Sequence, residues 1–217
     1  MADDRRSFRL KLLGGAVLED EEGVVTGPAA RPRPLALLSL LATAPARTLS
    51  RGKLVGLLWP ESPERAARNR LNTYVHQVRR ELGGEVLASA GADLRLDETV
   101  VTCDVWRFRE AVEAGDLERA AALYVGPFLD GFRLGGSSAF EKWVDSERSR
   151  LRRSYLAALE ELAEAASGAG EREEAVRWWR ARFEEDPLDS RVVRRLMEAM
   201  AAAGNRPAAL RAAEEHV

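Results

Sequence analysis

Residues Ser62–Leu96, SPERAARNRLNTYVHQVRRELGGEVLASAGADLRL, join a strongly patterned helix to a short hairpin. Ser62 followed by Pro63 and Glu64 reads as a helix start, with serine as cap, proline at the first helical position and an acid in the first turn. Gly83-Gly84 ends the helix after Leu82. At about 100° per residue, Leu71, Tyr74, Val75, Val78 and Leu82 fall on one narrow apolar stripe. Arg65, Asn69, Asn72, Thr73, His76, Gln77 and Arg80 project to the other side, a polar face almost free of acid. Val86–Ala90 and Asp93–Leu96 then read as two strands around Ala90-Gly91-Ala92, a hairpin with glycine at the turn.

Upstream, FRLKLL sets Phe8, Leu10 and Leu12 against Arg9 and Lys11, the period-2 pattern of a half-buried strand. Short strands follow at Ala16–Leu18 and Val24–Thr26, separated by the acidic turn Glu19–Gly23. After the proline-rich stretch Pro28–Pro34, Pro34 suits the first position of a buried helix through Leu35, Leu37, Leu38, Leu40 and Leu41. Ser50 caps a second helix with Leu54, Leu57 and Leu58 as its apolar stripe, and Trp59-Pro60 terminates it. The order of a small sheet, three helices and a hairpin is that of a winged helix-turn-helix, whose last helix is left exposed and whose hairpin stands beside it.

From Asp104 onward only helical patterns remain: Asp104–Ala114, Leu117–Tyr124, Ser138–Ser167, Glu171–Glu185, Ser190–Ala203 and Arg206–Val217. The last three have the lengths and turns of tetratricopeptide-like stacking, without its exact repeat signature. The expected fold is therefore mainly α with a small β component. It divides into a winged-helix domain over residues 5–102 and an all-helical, tetratricopeptide-like domain over residues 103–217.

The chain has 217 residues, 46% hydrophobic and 31% charged, which describes a folded protein of one or two domains and excludes disorder. Its single cysteine, Cys103, excludes an internal disulfide or a thiolate metal site and suits a reducing cytoplasm. The start MADDRRSFRL lacks an apolar signal core, and no stretch reaches the roughly 18 apolar residues of a membrane span. The net charge of -2 conceals a division. Residues 1–102 carry 15 basic and 13 acidic groups, residues 103–217 carry 18 and 22, and within residues 47–80 eight basic groups face two acids. Such a block fits a polyanion contact, and equally a solvated helical face.

Side-chain chemistry weighs toward the former. Asn pairs bidentately with adenine, Arg with guanine, and Thr meets the thymine methyl; this face offers all three instead of the Glu/Lys spacing of an ion-paired helix. Arg65, Asn69, Asn72, Thr73, His76 and Gln77 are the candidates for base edges. Arg47, Arg51, Arg68, Arg79, Arg80 and Arg95 are the candidates for phosphates. No catalytic residue, metal site or cofactor is expected. His76 and His216 are far apart in sequence, Glu160-Glu161 and Glu184-Glu185 read as solvated faces, and no phosphate-binding glycine loop occurs. Of Trp178 and Trp179, one is expected in the core and the other partly exposed.

The run LLSLLATAPARTLSRGKLVGLLWPESPERAARNRLNTYVHQVRREL, with DVWRFREAVEAGDLERAAALYVGPFLDGF and FEKWVDSERSRLRRSYLAALEELAEAA, resembles the bacterial transcriptional activator domain regulators. These include the antibiotic-regulatory (SARP-type) activators, with an OmpR-type winged helix followed by an all-helical activator domain. The resemblance covers nearly the whole chain. It implies a cytoplasmic, nucleoid-associated regulator that binds double-stranded DNA, at direct repeats through self-associating protomers, and recruits RNA polymerase holoenzyme. The polymerase contact it implies is the loop holding Trp59, Glu61, Ser62 and Glu64. Two departures stand out: the wing carries Arg95 as its one cation, with Asp93 near the tip, and the chain stops where members typically continue, so it reads as truncated. A second reading makes the chain a helical-repeat interaction scaffold whose winged helix docks protein rather than DNA.

Overall fold

The computed structural model describes residues 6–205; the helix expected over Arg206–Val217, with His216, lies outside them. The described chain forms two compact units. One holds the residues up to Glu110 together with Leu123–Arg150, and the other holds Ala111–Ala122 together with Leu151 onward. The packing boundaries thus differ from the change of secondary structure near residue 103. Among the described residues no helix is long and apolar enough to cross a membrane.

The first unit opens on β1 (Phe8–Lys11), β2 (Val17–Asp20) and β3 (Gly23–Val24). β1 buries Phe8 and Leu10 and exposes Arg9 and Lys11, as its alternation requires. α1 (Pro32–Thr43) begins two residues earlier than expected, with Pro32 rather than Pro34 at its first position. Every residue from Pro34 to Thr43 is buried. The helix holds its two buried hydroxyls by turning them onto its own backbone: Ser39 donates to the Leu35 carbonyl at 2.8 Å and Thr43 to that of Ser39 at 2.9 Å.

β4 (Thr48–Ser50) leads into α2 (Arg51–Leu58), whose first turn is capped by Ser50 Oγ accepting from the Lys53 amide at 3.2 Å. α3 (Glu64–Leu82) follows. Its start differs from the expectation, because Pro63 occupies the cap position and makes no side-chain bond. Ser62 Oγ instead accepts from Arg70 Nη1 at 3.1 Å, a partner eight residues on that only the folded helix supplies. Gly83, at φ +100°, closes α3 in a conformation that disfavours a side chain.

β5 (Leu87–Ala90) and β6 (Asp93–Leu96) form the hairpin around Gly91, and β4 completes this sheet in the order β4-β6-β5. β7 (Val101–Cys103) pairs in parallel with β1, so the other sheet runs β3-β2-β1-β7. The reading from sequence missed β4 and β7. Each has three residues, too few for a period to show, and both depend on partners about 45 or 90 residues away.

α4 (Asp104–Glu113) starts within this unit, and residues 123–137 lead to α6 (Ser138–Ala169). These segments are built into the winged helix. Asp104 accepts from the amides of Leu12, Leu13 and Val105, each within 2.9 Å. Trp106 Nε1 donates to the Ala42 carbonyl at 2.6 Å, and the Leu129 amide to that of Leu12 at 2.7 Å. Phe108, Phe128 and Phe140 are fully buried. Burial raises the pKa of Asp104 despite its three amide donors, and burial, then the neighbouring Asp104, pushes that of the Cys103 thiol far up, which keeps this buried cysteine a thiol.

The second unit contains α5 (Leu117–Leu123) up to Ala122, the later part of α6, α7 (Arg172–Glu185) and α8 (Ser190–Ala202). Trp179 sits at its centre with Ala163, Ala175, Val192 and Leu196, while Trp178 is only partly buried, the division expected for this pair. Arg182, 5% exposed, donates to Glu160 at 2.8 Å and to Asp189 at 3.3 Å, and Arg191 also reaches Glu160 at 2.7 Å. Burial alone would raise the Glu160 value, but the hydrogen bonds from Arg191 and Arg182 outweigh it and hold it below the ordinary range. A carboxylate depressed in the folded state stabilises above its unfolded value and loses that contribution as pH falls through the folded one. The Glu160→Gln variant is therefore expected to cost up to about 3 kcal/mol at neutral pH, with the gap to wild type closing in acid below pH 4.5. Urea melts at pH 7 and pH 3.5 measure this directly.

Candidate nucleic-acid interface

α3 packs on the rest of its unit through Ala67, Leu71, Val75, Val78 and Leu82, all buried. Because these recur at helical spacing, the opposite face is carried outward. Arg65, Asn69, Asn72, Thr73 and His76 are exposed and Gln77 is half-buried, so the six base-edge candidates share one accessible side of a helix nineteen residues long. Thr73 Oγ1 donates to the Asn69 carbonyl at 3.1 Å, which leaves its methyl group available for an apolar contact.

Arg51 connects three elements of this surface. From the first turn of α2 its guanidinium donates to Asn72 Oδ1 on α3 at 2.9 Å and to Ser89 Oγ on β5 at 3.3 Å. Asn72 is thereby held in one orientation with its amide N–H groups uncommitted, a side chain already ordered before any ligand arrives.

The six phosphate candidates separate into two groups. Arg79 donates through Nε and Nη2 to the Leu87 carbonyl at 2.9 and 2.7 Å, and through Nη2 to Ser89 at 2.8 Å. It is a strut between α3 and the hairpin. Arg47 lies at φ +56°, packs its guanidinium 4.3 Å from the Trp106 ring centre and pairs with Glu98; a strained backbone held by two side-chain contacts marks an internal fastening. Arg51, Arg68, Arg80 and Arg95 lie nearer solvent. Arg68 pairs with Glu64 at 2.6 Å across one turn, with both groups well exposed. Arg80 is exposed 3.9 Å from Glu81, and Arg95 is exposed on β6 opposite Thr48.

In the loop between α2 and α3, Glu61 is exposed and Ser62 half-buried, and Glu64, the first residue of α3, is exposed. Trp59 is different: it is 4% exposed, stacked on Tyr74 at 5.7 Å and 10°. It shapes the loop from beneath and is not on its surface. Arg70 received no role from the sequence although it belongs to the basic block; it is exposed on α3. Its signal was its place three residues, about one turn, before Thr73.

Known proteins resemble this arrangement over both halves. Residues 28–91 match the family described as transcriptional regulatory protein, C terminal, and residues 103–216 match the bacterial transcriptional activator domain. The chain is 34% identical over 126 residues to the transcriptional regulatory protein EmbR of Mycobacterium bovis and of Mycobacterium tuberculosis. That match covers 49% of this chain and 32% of EmbR, so the chain spans about a third of that relative's length. A solved structure of Mycobacterium tuberculosis EmbR in complex with a low-affinity phosphopeptide superposes with a TM-score of 0.66 at 25% identity, covering 98% of this chain and 59% of that one. The two family matches follow one another along the chain, the first over the winged helix and the second over the helical part. The chain belongs to the bacterial transcriptional activator domain family and is similar to the regulator EmbR.

Proposed function

We propose that this chain binds double-stranded DNA sequence-specifically through α3 and activates transcription by contacting RNA polymerase holoenzyme. The observation that carries the reading is the outward face of α3, where two asparagines, a threonine, a histidine and two exposed arginines stand together beside a β hairpin. Asn69 and Asn72 have the amide donor and acceptor that complement the N7 acceptor and N6 donor of adenine in the major groove, and Arg65 the fork that fits guanine. Arg51, Arg68, Arg80 and Arg95 surround that face as phosphate contacts, which fix register without reading sequence. The surface-facing Glu61, Ser62 and Glu64 are the polymerase-contact candidates, with Trp59 acting as their support. Self-association at direct repeats falls to the helical half, and the chain works at the bacterial nucleoid.

Substitutions separate readers from positioners. Asn72→Ala is expected to weaken the preferred site by about 1–3 kcal/mol and to relax preference at one base pair. Arg68→Ala should weaken all duplexes alike. Affinities of both variants across a set of single-base-pair site variants test the division, and uniform losses for both would refute it. The phosphopeptide belongs to the EmbR complex and takes no part in this reading.

A further inference from the structure

We propose that a cleft beside α3, walled by Arg31, Arg33, Arg70 and Arg133, is a phosphate-binding site. The cleft has a volume of about 490 Å³, lies wholly within the first compact unit, and has no carboxylate in its lining. Arg31 and Arg33 come from the start of α1, Arg70 from α3 and Arg133 from the segment before α6, so the fold gathers four guanidinium groups from three parts of the chain.

Two of them are anchored. Arg33 donates to the carbonyls of Leu58 at 2.7 Å and Gly135 at 3.1 Å and lies 5.4 Å from the Trp59 ring centre. Arg70 is held by Ser62. Arg31 and Arg133 are exposed, and their guanidinium groups have no ion-pair or hydrogen-bond partner among the described residues. That sets them apart from arginines such as Arg68, Arg109 and Arg182, each of which faces a carboxylate. Four like charges converging without a counter-charge repel one another, and an anion in the cleft reverses the sign of that interaction. Guanidinium forks match phosphate oxygens bidentately, and each anchored arginine keeps donors to spare.

The phosphate has two possible sources. Thr73 and Gln77 also line the cleft, and both belong to the proposed base-reading face. A DNA strand bordering the groove would therefore bring its phosphates here. A free oligophosphate offers the same oxygens. Only the first source rests on the DNA-binding reading.

The test uses the full chain, the double variant Arg31→Ala/Arg133→Ala, and the comparison variant Arg6→Ala/Arg9→Ala. The comparison removes two exposed charges, one on β1 and one just before it, outside the cleft. Unchanged melting temperatures verify folding. Duplex affinity is measured against salt, and inorganic triphosphate is titrated calorimetrically without DNA. For strand phosphates, the slope of log affinity on log salt becomes shallower by about 2 in the cleft variant and is unchanged in the comparison. For a free oligophosphate, triphosphate binds wild type one to one, the cleft variant loses that binding, and the slopes agree. A wild-type slope in the cleft variant without any triphosphate binding overturns the site, as does an equal slope change in the comparison variant. If the wild-type chain binds no duplex, the DNA reading fails by itself. Triphosphate binding lost in the cleft variant would then uphold the site, and no binding would overturn it.

Discussion

A fragment of residues 1–102 is expected not to fold, whereas one of residues 1–150 is expected to melt cooperatively. Secondary structure changes character near residue 103, yet the core of the first compact unit continues past it. Truncation at 102 removes Phe108, Phe128 and Phe140, all fully buried. Losing one such side chain costs about 3–5 kcal/mol, so three together match or exceed the ~5–15 kcal/mol by which a domain is stable. It also removes the Asp104 carboxylate that satisfies the Leu12 and Leu13 amides, and the Trp106 and Leu129 bonds to the chain's first half. A buried amide left unpaired adds roughly 1–3 kcal/mol. Residues 111–122, which belong to the other unit, would remain in the longer fragment as a tether. Circular dichroism melts of the two fragments decide the matter, and a cooperative transition for residues 1–102 would refute this account of the packing.

The same comparison shows what the sequence discloses. Long elements with a strong period were legible: α3, the hairpin, and the helices from Asp104 to Ala202 fall within one or two residues of where their patterns put them. The N-terminal sheet was legible in part, because β1 alternates cleanly while β4 and β7 are three-residue strands defined by their neighbours. Ser62 followed the rule for a helix cap and did another task, since a hydroxyl eight residues from Arg70 is equally well placed to hold a guanidinium.

The candidate interface was legible as a face and not as a set of jobs. Helical projection is enough to place Asn69, Asn72, Thr73 and His76 on one side of α3. It cannot say that Arg79 reaches the Leu87 carbonyl or that Arg47 lies on Trp106, since these depend on the hairpin's position and on a residue 59 places further along. Charge counting treats both as available cations; packing makes them fastenings. Arg133 shows the converse, a residue outside the basic block that the fold places beside Arg31 and Arg70.

With Arg47 and Arg79 committed internally and Arg65 assigned to a base edge, Arg51, Lys53, Arg68, Arg70, Arg80 and Arg95 leave six cations at or beside the reading face. Each phosphate neutralised releases counterions, and six contacts give a slope near -5 in log affinity against log salt. A fourfold rise in salt then lowers affinity roughly a thousandfold. Base reading adds a second requirement, that a preferred duplex hold an advantage over unrelated sequence of at least about a thousandfold at a given salt concentration. The decisive measurement is the affinity of the full chain between 50 and 200 mM salt for a duplex selected from a random pool and for a scrambled duplex of equal length. Steep parallel lines separated by that ratio are the predicted result. A flat profile for both duplexes, or steep lines that coincide, would contradict sequence-specific DNA binding through α3.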